Sequence, residues 1–344
     1  MIDFLIIGQG LAGTTLAHTI EAKGYSYHII DQKNHNSATK VAAGLINPVT
    51  GRRYVKSWMV DLFLPKAQDF YTELENKLGK RFYTQLAIRK ILANEEIIGF
   101  FERKMKEDEM QNWKEETPSI LPESLRYSAK NIGSLKGARL DTKAFLESSL
   151  EHFEFNNHFQ ERMIIYSDLI LSNNHIEYNG NSYKYCVFCE GYQLKNNPFF
   201  NYLPLNLCKG EVLTLASDHD LDACYQKNNF VFPIDNMHLR CGSNYEWNNL
   251  NNEPTQEVKK ELLDKMDTML KLQYKVCEHK AGIRPTVKDR RPLLGKNQEH
   301  SNLFVFNGLG TKGVSLAPFF ANHLIEHITL GKNLMKEVDI KRFE

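Results

Sequence analysis

The sequence predicts an α/β protein, and two segments at opposite ends of the chain carry that prediction. Residues 2–31, "IDFLIIGQGLAGTTLAHTIEAKGYSYHIID", place a glycine-spaced segment and a helical pattern between two short apolar runs. Residues 302–328, "NLFVFNGLGTKGVSLAPFFANHLIEHI", repeat the order of strand, glycines and helix. At 344 residues the chain is long enough for two domains, or for one large α/β domain with an insertion.

The first segment predicts a strand that turns sharply into a helix. Phe4–Ile7 is a continuous apolar run, which is typical of a parallel strand buried on both faces. Gly8 permits a tight turn out of the strand, and Gly10 lets backbone N–H groups approach a diphosphate without an intervening Cβ. Gly13 allows the helix, predicted over Thr14–Lys23, to pack closely on the sheet.

The same segment predicts a dinucleotide site. A diphosphate is favoured at the positive amino-terminal end of a helix, where unpaired N–H groups point outward. Gly24 is placed to end the helix, and a second strand is predicted over Tyr27–Ile30. Asp31 follows that strand and can accept hydrogen bonds from the ribose hydroxyls of an adenosine. This motif alone leaves NAD and FAD both open.

Residues 37–58 favour the longer ligand. They contain small side chains, including Ala42, Ala43 and Gly44, where a plain NAD-binding unit would have a helix. Small side chains over this length predict backbone that runs close beside an extended ligand. Together with the glycine-rich turns at both ends of the chain, they fit one long ligand held at both ends better than a nicotinamide cofactor.

Two later helices are also predicted. In residues 137–153, Asp141 is a candidate N-cap, and Leu140 and Phe145 are spaced as a hydrophobic staple. The next strong strand is predicted over Tyr185–Phe188. The carboxyl-terminal segment predicts a helix that begins near Gly313 and has Pro318 near its first turn.

Composition and charge exclude some classes of function. The net charge is +1, so no overall field attracts nucleic acid or an anionic membrane. No apolar run is long enough for a spanning helix and no signal segment is recognised, which predicts a cytoplasmic protein without membrane contact. Cys186 and Cys189 lie in an apolar run with no second pair at zinc spacing, so buried strand cysteines are favoured over a redox or metal role, and no metal site is predicted.

The succession of motifs resembles a known family along the whole chain. In order, "AAGLINP", "RLDTKAFLESSL", "LCKGEVLTL", "LRCGSNYEW", "AGIRPTVKDRRPLLG" and "GLGTKGVSLAP" follow the amino-terminal glycine motif. This order resembles the D-amino-acid oxidase and glycine oxidase superfamily of FAD-dependent amine oxidoreductases. Within it, "KDRRPLLG" and "FNGLGTKGVSLAPFF" are most similar to the FAD-containing half of the bifunctional wobble-uridine tRNA-modification enzyme, which oxidises a carboxymethylaminomethyl group on uridine.

The resemblance implies a Rossmann-like FAD-binding domain and a second, mainly antiparallel β domain for substrate. The FAD-binding domain is expected to be discontinuous, over residues 1–84, 139–200 and 280–344. The substrate domain is expected over residues 85–138 and 201–279, with strands at Leu207–Leu215, Phe230–Pro233 and His238–Gly242. FAD is expected to be noncovalent, because the "GIRP" region, where sarcosine oxidases attach their flavin, lacks a cysteine.

The resemblance also implies site residues and a reaction. Arg284 matches the family arginine that holds the substrate carboxylate, while a hydride passes from the carbon next to nitrogen to flavin N5. The helix near Gly313 is expected to direct its dipole at the pyrimidine edge of the flavin. Phe230 departs from glycine oxidases, which have a carboxylate-binding Tyr at that position. The expected cofactor contacts are Gly8, Gly10, Leu11, Ala12, Gly13, Asp31, Ala42, Ala43, Gly44, Gly191, Gly308, Gly310, Thr311, Lys312 and Gly313.

These observations predict an enzyme whose partner is a small amine or amino acid that bears a carboxylate. The alternative is the tRNA-borne group, because "GRRYVKSW" at residues 51–58 and "KDRRPLLGK" at residues 288–296 mix basic with aromatic or apolar residues. A solvated basic loop is the simpler interpretation of both stretches. For Arg284, the simpler interpretation is a surface ion pair. The amine, the electron acceptor and the oligomeric state stay open at this stage.

Overall fold

The computed structural model describes residues 1–33, 37–51 and 53–343. Its strands, numbered along the chain, are β1 Ile2–Ile7, β2 Tyr27–Asp31, β3 Leu45–Ile46, β4 Val49–Thr50, β5 Val55–Lys56, β6 Tyr83–Gln85, β7 Ile88–Ile91, β8 Ile132–Leu135, β9 Ala138–Leu140, β10 Phe159–Glu161, β11 Ile170–Leu171, β12 Ile176–Tyr178, β13 Asn181–Phe188, β14 Leu205–Ala216, β15 Cys224–Gln226, β16 Phe230–Pro233, β17 His238–Gly242, β18 Lys275–Val287, β19 Leu293–Lys296 and β20 Leu303–Asn307.

The α-helices are α1 Leu11–Ala22, α2 Ala38–Val41, α3 Val60–Leu78, α4 Glu95–Lys104, α5 Thr142–Phe155, α6 Gln256–Asp267 and α7 Gly313–Leu330. Short 3₁₀ turns cover Asp108–Trp113, Ala129–Asn131, Tyr166–Asp168, Gly191–Asn196 and Ile340–Phe343. Among the described residues, no helix is long and apolar enough to cross a membrane.

The amino-terminal strand lies at the centre of an eight-stranded sheet. Strands β10, β2, β1, β13 and β20 run parallel in that spatial order, and β12 and β19 join them antiparallel. Phe4, Leu5 and Ile6 have no exposed surface, because helices and loops cover both faces of β1. The predicted strand–helix–strand unit is confirmed, and Gly24 follows the helix with φ +75° as its C-terminal glycine.

The second large sheet is mainly antiparallel and has the order β18, β14, β17, β16, β15, β7, β8. All three strands predicted for it are present in β14, β16 and β17. Only β15 and β7 pair in parallel. The predicted boundary at residue 280 falls inside β18, whose register with β14 begins at Lys275. The division of the chain into two domains therefore stays a prediction.

The two later helices follow the sequence closely, with one difference. Asp141 caps α5 by accepting a hydrogen bond from the Ala144 N–H at 3.1 Å. Pro318, however, is the sixth residue of α7 rather than part of its first turn. A proline there cannot donate to the carbonyl of Val314. The hydroxyl of Tyr71 donates to that carbonyl instead, at 2.9 Å, so the helix continues through the proline.

Candidate active site

A cavity of about 630 Å³ lies at the carboxyl ends of β1, β2 and β13 and extends to the face of the second sheet. Ligands of open parallel sheets bind at this edge, where the first loops meet the helix amino termini. The predicted site residues that line the cavity are Gly8, Gly10, Leu11, Ala12, Asp31, Ala42, Ala43, Gly44, Gly191, Arg284, Gly310, Thr311, Lys312 and Gly313. Gly13 and Gly308 lie behind its wall.

Each of the first three glycines is required for a different physical reason. Gly8 has φ +106°, and a Cβ on it would lie 2.6 Å from the carbonyl oxygen of Cys189. A Cβ on Gly13 would lie only 1.8 Å from the Gly8 oxygen, so this glycine permits α1 to approach β1. Gly10 has an ordinary φ of −76°, and its hypothetical Cβ meets only the Thr39 hydroxyl, at 3.7 Å. Open space beside Gly10 fits the approach of a diphosphate.

At the amino termini of α1 and α7, which point into the cavity, the N-cap residue makes no side-chain cap. Gly10, the N-cap of α1, has no side chain, and Lys312 at the N-cap of α7 accepts no bond from the first turn. One first-turn N–H of α1, that of Leu11, donates to the Thr39 hydroxyl at 3.1 Å. Neither first turn contains an acidic residue. Two helix amino termini that keep unpaired N–H groups and face one elongated cavity are suited to a ligand with anionic or electron-rich groups at two positions.

Asp31 is fixed at the end of β2. Its carboxylate accepts hydrogen bonds from the N–H groups of Gln9, at 2.7 Å, and Lys33, at 2.6 Å. Each oxygen has further lone pairs and the residue lines the cavity. This geometry fits a carboxylate that receives the two hydroxyls of an adenosine ribose.

The small residues 42–44 run beside the cavity. Gly44 has φ +69°, and its Cβ would overlap the carbonyl oxygen of Leu140 at 1.8 Å. The Leu140 N–H donates to the Gly44 oxygen at 3.0 Å, and the Thr142 hydroxyl donates to the Ala42 oxygen at 3.2 Å. These bonds hold the predicted small-residue stretch against α5. Of the wider stretch, Arg52 lies outside the described residues.

Arg284 reaches the cavity from β18 by crossing over Gly210 of β14. One terminal nitrogen donates to the carbonyl oxygens of Lys209 and Asn244, each at 3.3 Å, and the other donates to the Ser243 hydroxyl at 3.0 Å. Arg284 forms no ion pair with an acid in the part of the chain that the structure describes. The alternative of a surface ion pair therefore does not describe this arginine.

Two aromatic residues complete the wall near Arg284. The ring of Tyr245 lies 4.9 Å from the guanidinium carbon, and this residue is 61% exposed. Phe230 also lines the cavity, so the departure from the tyrosine of glycine oxidases lies within the candidate substrate space.

Glu190, which was not predicted as a site residue, lines the cavity where β13 ends. It accepts hydrogen bonds from the Tyr166 hydroxyl at 2.5 Å and from the Asn197 amide at 2.6 Å. Burial raises the pKa of Glu190 to about 7, although these two bonds favour the ionised form. An acid directly before a glycine at a strand end is a signal that could have drawn attention to it. Cys186 and Cys189 are both buried and free, as expected.

A basic group lies at one side of the cavity. The Lys312 ammonium donates to the Ser57 hydroxyl at 2.9 Å, and the Arg291 guanidinium lies 4.0 Å from the ring centre of Trp58. Burial, together with the neighbouring charges of Arg290 and Arg291, lowers the pKa of Lys312. The two predicted basic stretches therefore meet in space.

A second cluster of titratable groups lies away from the cavity. Glu21 accepts hydrogen bonds from His152 at 2.9 Å and from the Lys77 ammonium at 2.7 Å, and His18 lies 3.6 Å away. The lysine neutralises the carboxylate and holds the pKa of Glu21 below its usual range, along with both histidines. The ammonium takes the place that a cation would occupy, which favours an ion-paired cluster.

The comparisons with known proteins decide the family. The family model described as "FAD dependent oxidoreductase", DAO, matches residues 3–327. This chain belongs to that family. It is accordingly an FAD-dependent oxidoreductase. The glycines after β1, Asp31 and the amino termini of α1 and α7 fit the cofactor that the family implies.

Solved structures with the same fold include amine and amino-acid oxidases. Glycine oxidase from Bacillus cereus superimposes with a TM-score of 0.78 at 18% identity, over 97% of this chain and 96% of that one. Iminodiacetate oxidase from Chelativorans has a TM-score of 0.74 at 19% identity, over 99% and 98%. At these identities the likeness establishes the fold alone.

A local match to a curated protein is also found. The tRNA 5-methylaminomethyl-2-thiouridine biosynthesis bifunctional protein MnmC of Acinetobacter baylyi is 36% identical over 69 residues. That match covers 19% of this chain and 11% of the relative.

Proposed function

We propose that this flavoprotein oxidises the C–N bond of an amine or amino acid that bears a carboxylate. The observation that carries the proposal is Arg284, a guanidinium at the cavity wall without an acid partner among the described residues. A planar guanidinium suits a planar carboxylate, which it can bind through two parallel hydrogen bonds. Its contacts with Lys209, Asn244 and Ser243 fix its plane before a ligand arrives.

The protein contributes to the reaction by positioning the substrate and by excluding water. The bound FAD supplies the hydride acceptor. Arg284 would hold the carboxylate and thereby fix which hydrogen of the adjacent carbon faces the cofactor. Phe230 presents an apolar ring where a hydroxyl could have provided a second carboxylate contact. The apolar ring favours a substrate whose amine nitrogen carries a carbon substituent in place of one of the hydrogens of glycine.

We also propose that FAD is held without a covalent bond. The structure places Cys208 beside Arg284, with 3.8 Å between the sulfur and a guanidinium nitrogen, although the two are distant in sequence. Cys208 pairs with Arg284 across β14 and β18, is fully buried and does not line the cavity, and burial raises the pKa of its thiol. A thiol in that position is poorly placed to attack the cofactor.

The test is the steady-state kinetics of Arg284→Ala and Arg284→Lys with a carboxylated amine that reduces the wild-type flavin. Both variants should raise KM strongly while flavin content stays normal. Arg103→Ala, an exposed arginine on α4, is the matched control and should leave KM unchanged. An unchanged KM in the Arg284 variants would remove this residue from the site.

A second candidate substrate is the carboxymethylaminomethyl group of a tRNA wobble uridine. The specific support is the group of Arg290, Arg291 and Lys312 beside the cavity, with the Arg291 guanidinium packed against Trp58. Binding of tRNA in a mobility-shift assay at physiological salt would favour this candidate. No binding at micromolar protein would dismiss it, because phosphate contacts dominate the affinity of such complexes.

A further inference from the structure

Lys90 is a buried cation without an acid partner. It lies on β7, where all four residues are buried, and its own exposure is 8%. The preceding residue, Arg89, is equally buried but is paired with Asp222 through bonds of 2.5 and 2.7 Å. The Lys90 ammonium instead donates to the amide oxygen of Gln226, and it has no carboxylate partner in the described residues.

An unpaired buried ammonium is costly, because it loses hydration without gaining a counter-charge. Burial lowers the pKa of Lys90 to about 8. The ammonium has three donors, and one hydrogen bond to a neutral amide satisfies only part of them. The contrast with Arg89 indicates a position that receives its negative charge from outside the chain.

Gln226 connects Lys90 to the cavity. Its amide oxygen accepts from both Lys90 and the side-chain amide of Asn47, the latter at 2.9 Å. Gln226 and Asn47 both line the cavity. Because the oxygen of Gln226 faces Lys90, its NH₂ group is turned away from the lysine, and that group has no partner among the described residues. A fixed donor with a cation behind it therefore faces the cavity.

The register of the second sheet relates this point to Arg284. Lys90 pairs with Gln226, Gln226 with Phe230, and Phe230 with Gly242 across four neighbouring strands. Arg284 lies over Gly210 on β14, three strand positions from the β15 strand of Gln226. Gly210 also lies two residues from Val212, the residue of β14 that pairs with Gly242. At about 4.8 Å per strand and about 3.3 Å per residue, the two positions are therefore roughly 16 Å apart along one wall, before side chains reach inward.

We propose that Lys90, Gln226 and Asn47 form a second subsite for an acidic group, so that the substrate is an amine with an acid-bearing arm on each side of its nitrogen. This inference rests on the proposed function, because it assumes that Arg284 binds the first carboxylate. Gln226 and Asn47 contact the second acid, and Lys90 is a positioning residue that orients Gln226 and supplies positive charge. Phe230 lies between the two subsites and covers the carbon chain.

Binding of unreactive acids to the flavin-loaded protein tests this directly. Difference spectra of the bound flavin give dissociation constants for pentanoate and glutarate, and for hexanoate and adipate, which differ within each pair only in the second carboxylate. In the wild type the diacid of at least one pair should bind tenfold tighter or more. Lys90→Met should reduce that preference to about twofold, whereas Lys90→Arg should retain most of it.

Lys143→Met provides the matched control, since Lys143 is an exposed lysine on α5. It should leave both constants of each pair unchanged. Equal binding of monoacid and diacid by the wild type would overturn the inference without any variant, as would a preference that survives Lys90→Met. If the monoacids bind and depend on Arg284, only the second subsite fails. If no acid binds, the proposed function fails with it.

Discussion

Gly210→Ala tests the position of Arg284 without changing the arginine itself. A Cβ on Gly210 would lie 1.8 Å from one terminal nitrogen of Arg284, 2.1 Å from its guanidinium carbon and 2.4 Å from the other nitrogen. Ordinary contact needs about 3.4 Å, so the guanidinium must move by roughly 1.5 Å. A shift of that size away from the sheet should lengthen the bond to the Ser243 hydroxyl, which is 3.0 Å in the wild type, beyond hydrogen-bonding distance.

Gly210→Ala should weaken ligand binding and leave the stability of the fold almost unchanged. The clash involves the end of a flexible side chain, and alanine is more favourable than glycine inside a strand by roughly 0.5–1 kcal/mol. The free energy of unfolding should therefore change by less than about 1 kcal/mol. A hydrogen bond between charged groups contributes about 1.5–3 kcal/mol, so the loss of one to a ligand carboxylate weakens binding roughly 10- to 150-fold.

The assay is titration of the flavin-loaded protein with acetate, followed by the visible spectrum of the flavin. Gly99→Ala, a glycine inside α4 whose Cβ would meet only a solvent-facing arginine, is the matched control. The control should bind acetate as the wild type does. If Gly210→Ala does so as well, the carboxylate is not bound by Arg284 in the position that the structure gives it.

Three further predictions follow from local geometry. Gly10→Ala should leave the apoprotein folded but lower its FAD affinity at least tenfold. Gly13→Ala should lower the free energy of unfolding by more than about 3 kcal/mol, because its Cβ would lie 1.8 Å from a backbone oxygen. Thermal melts of both apoproteins separate the two effects. Burial lowers the pKa of His18 to about 4, from 6.5 when unfolded, so the stability that the neutral ring contributes is present above pH 6.5 and is lost as pH falls toward 4. In urea unfolding, the wild type should lose about 2 kcal/mol more than His18→Gln does between pH 7 and pH 5. Tyr71→Phe removes the donor to the Val314 carbonyl, which the proline of α7 leaves without a helical partner, and should lower the free energy of unfolding by about 1 kcal/mol in the same assay. A loss of stability smaller than that of an exposed Tyr→Phe change would contradict this role.

The elements that the sequence predicted best are those with local causes. The first strand, its glycines and the helix after them are contiguous, and each residue type has a steric or hydrogen-bonding reason at its own position. The Asp141 cap is equally local. The three strands of the second sheet were expected from the family resemblance, and the structure contains all three. Pro318 lies just beyond the first turn near which it was predicted, and the sequence pattern did not predict its compensating partner, Tyr71, which is far away in sequence.

The contacts that give the site its chemistry depend on the register between distant strands. Gly210 lies under Arg284 because β14 and β18 pair over their whole length, and no pattern within either strand predicts that neighbour. Gln226 meets Lys90 through a parallel pairing that crosses much of the chain. One local signal was present, since two successive basic residues in the apolar run "AIRKIL" predict at least one charge that faces inward.

The most direct test of the central claim is anaerobic flavin reduction by two amines that differ only in a carboxylate. N-methylglycine and dimethylamine form such a pair, as do larger carboxylated secondary amines and their decarboxylated analogues. The purified protein should be yellow, and at least one carboxylated member should bleach it while its analogue does not. A colourless protein that takes up no FAD, or equal bleaching by both members of every pair, would contradict the account.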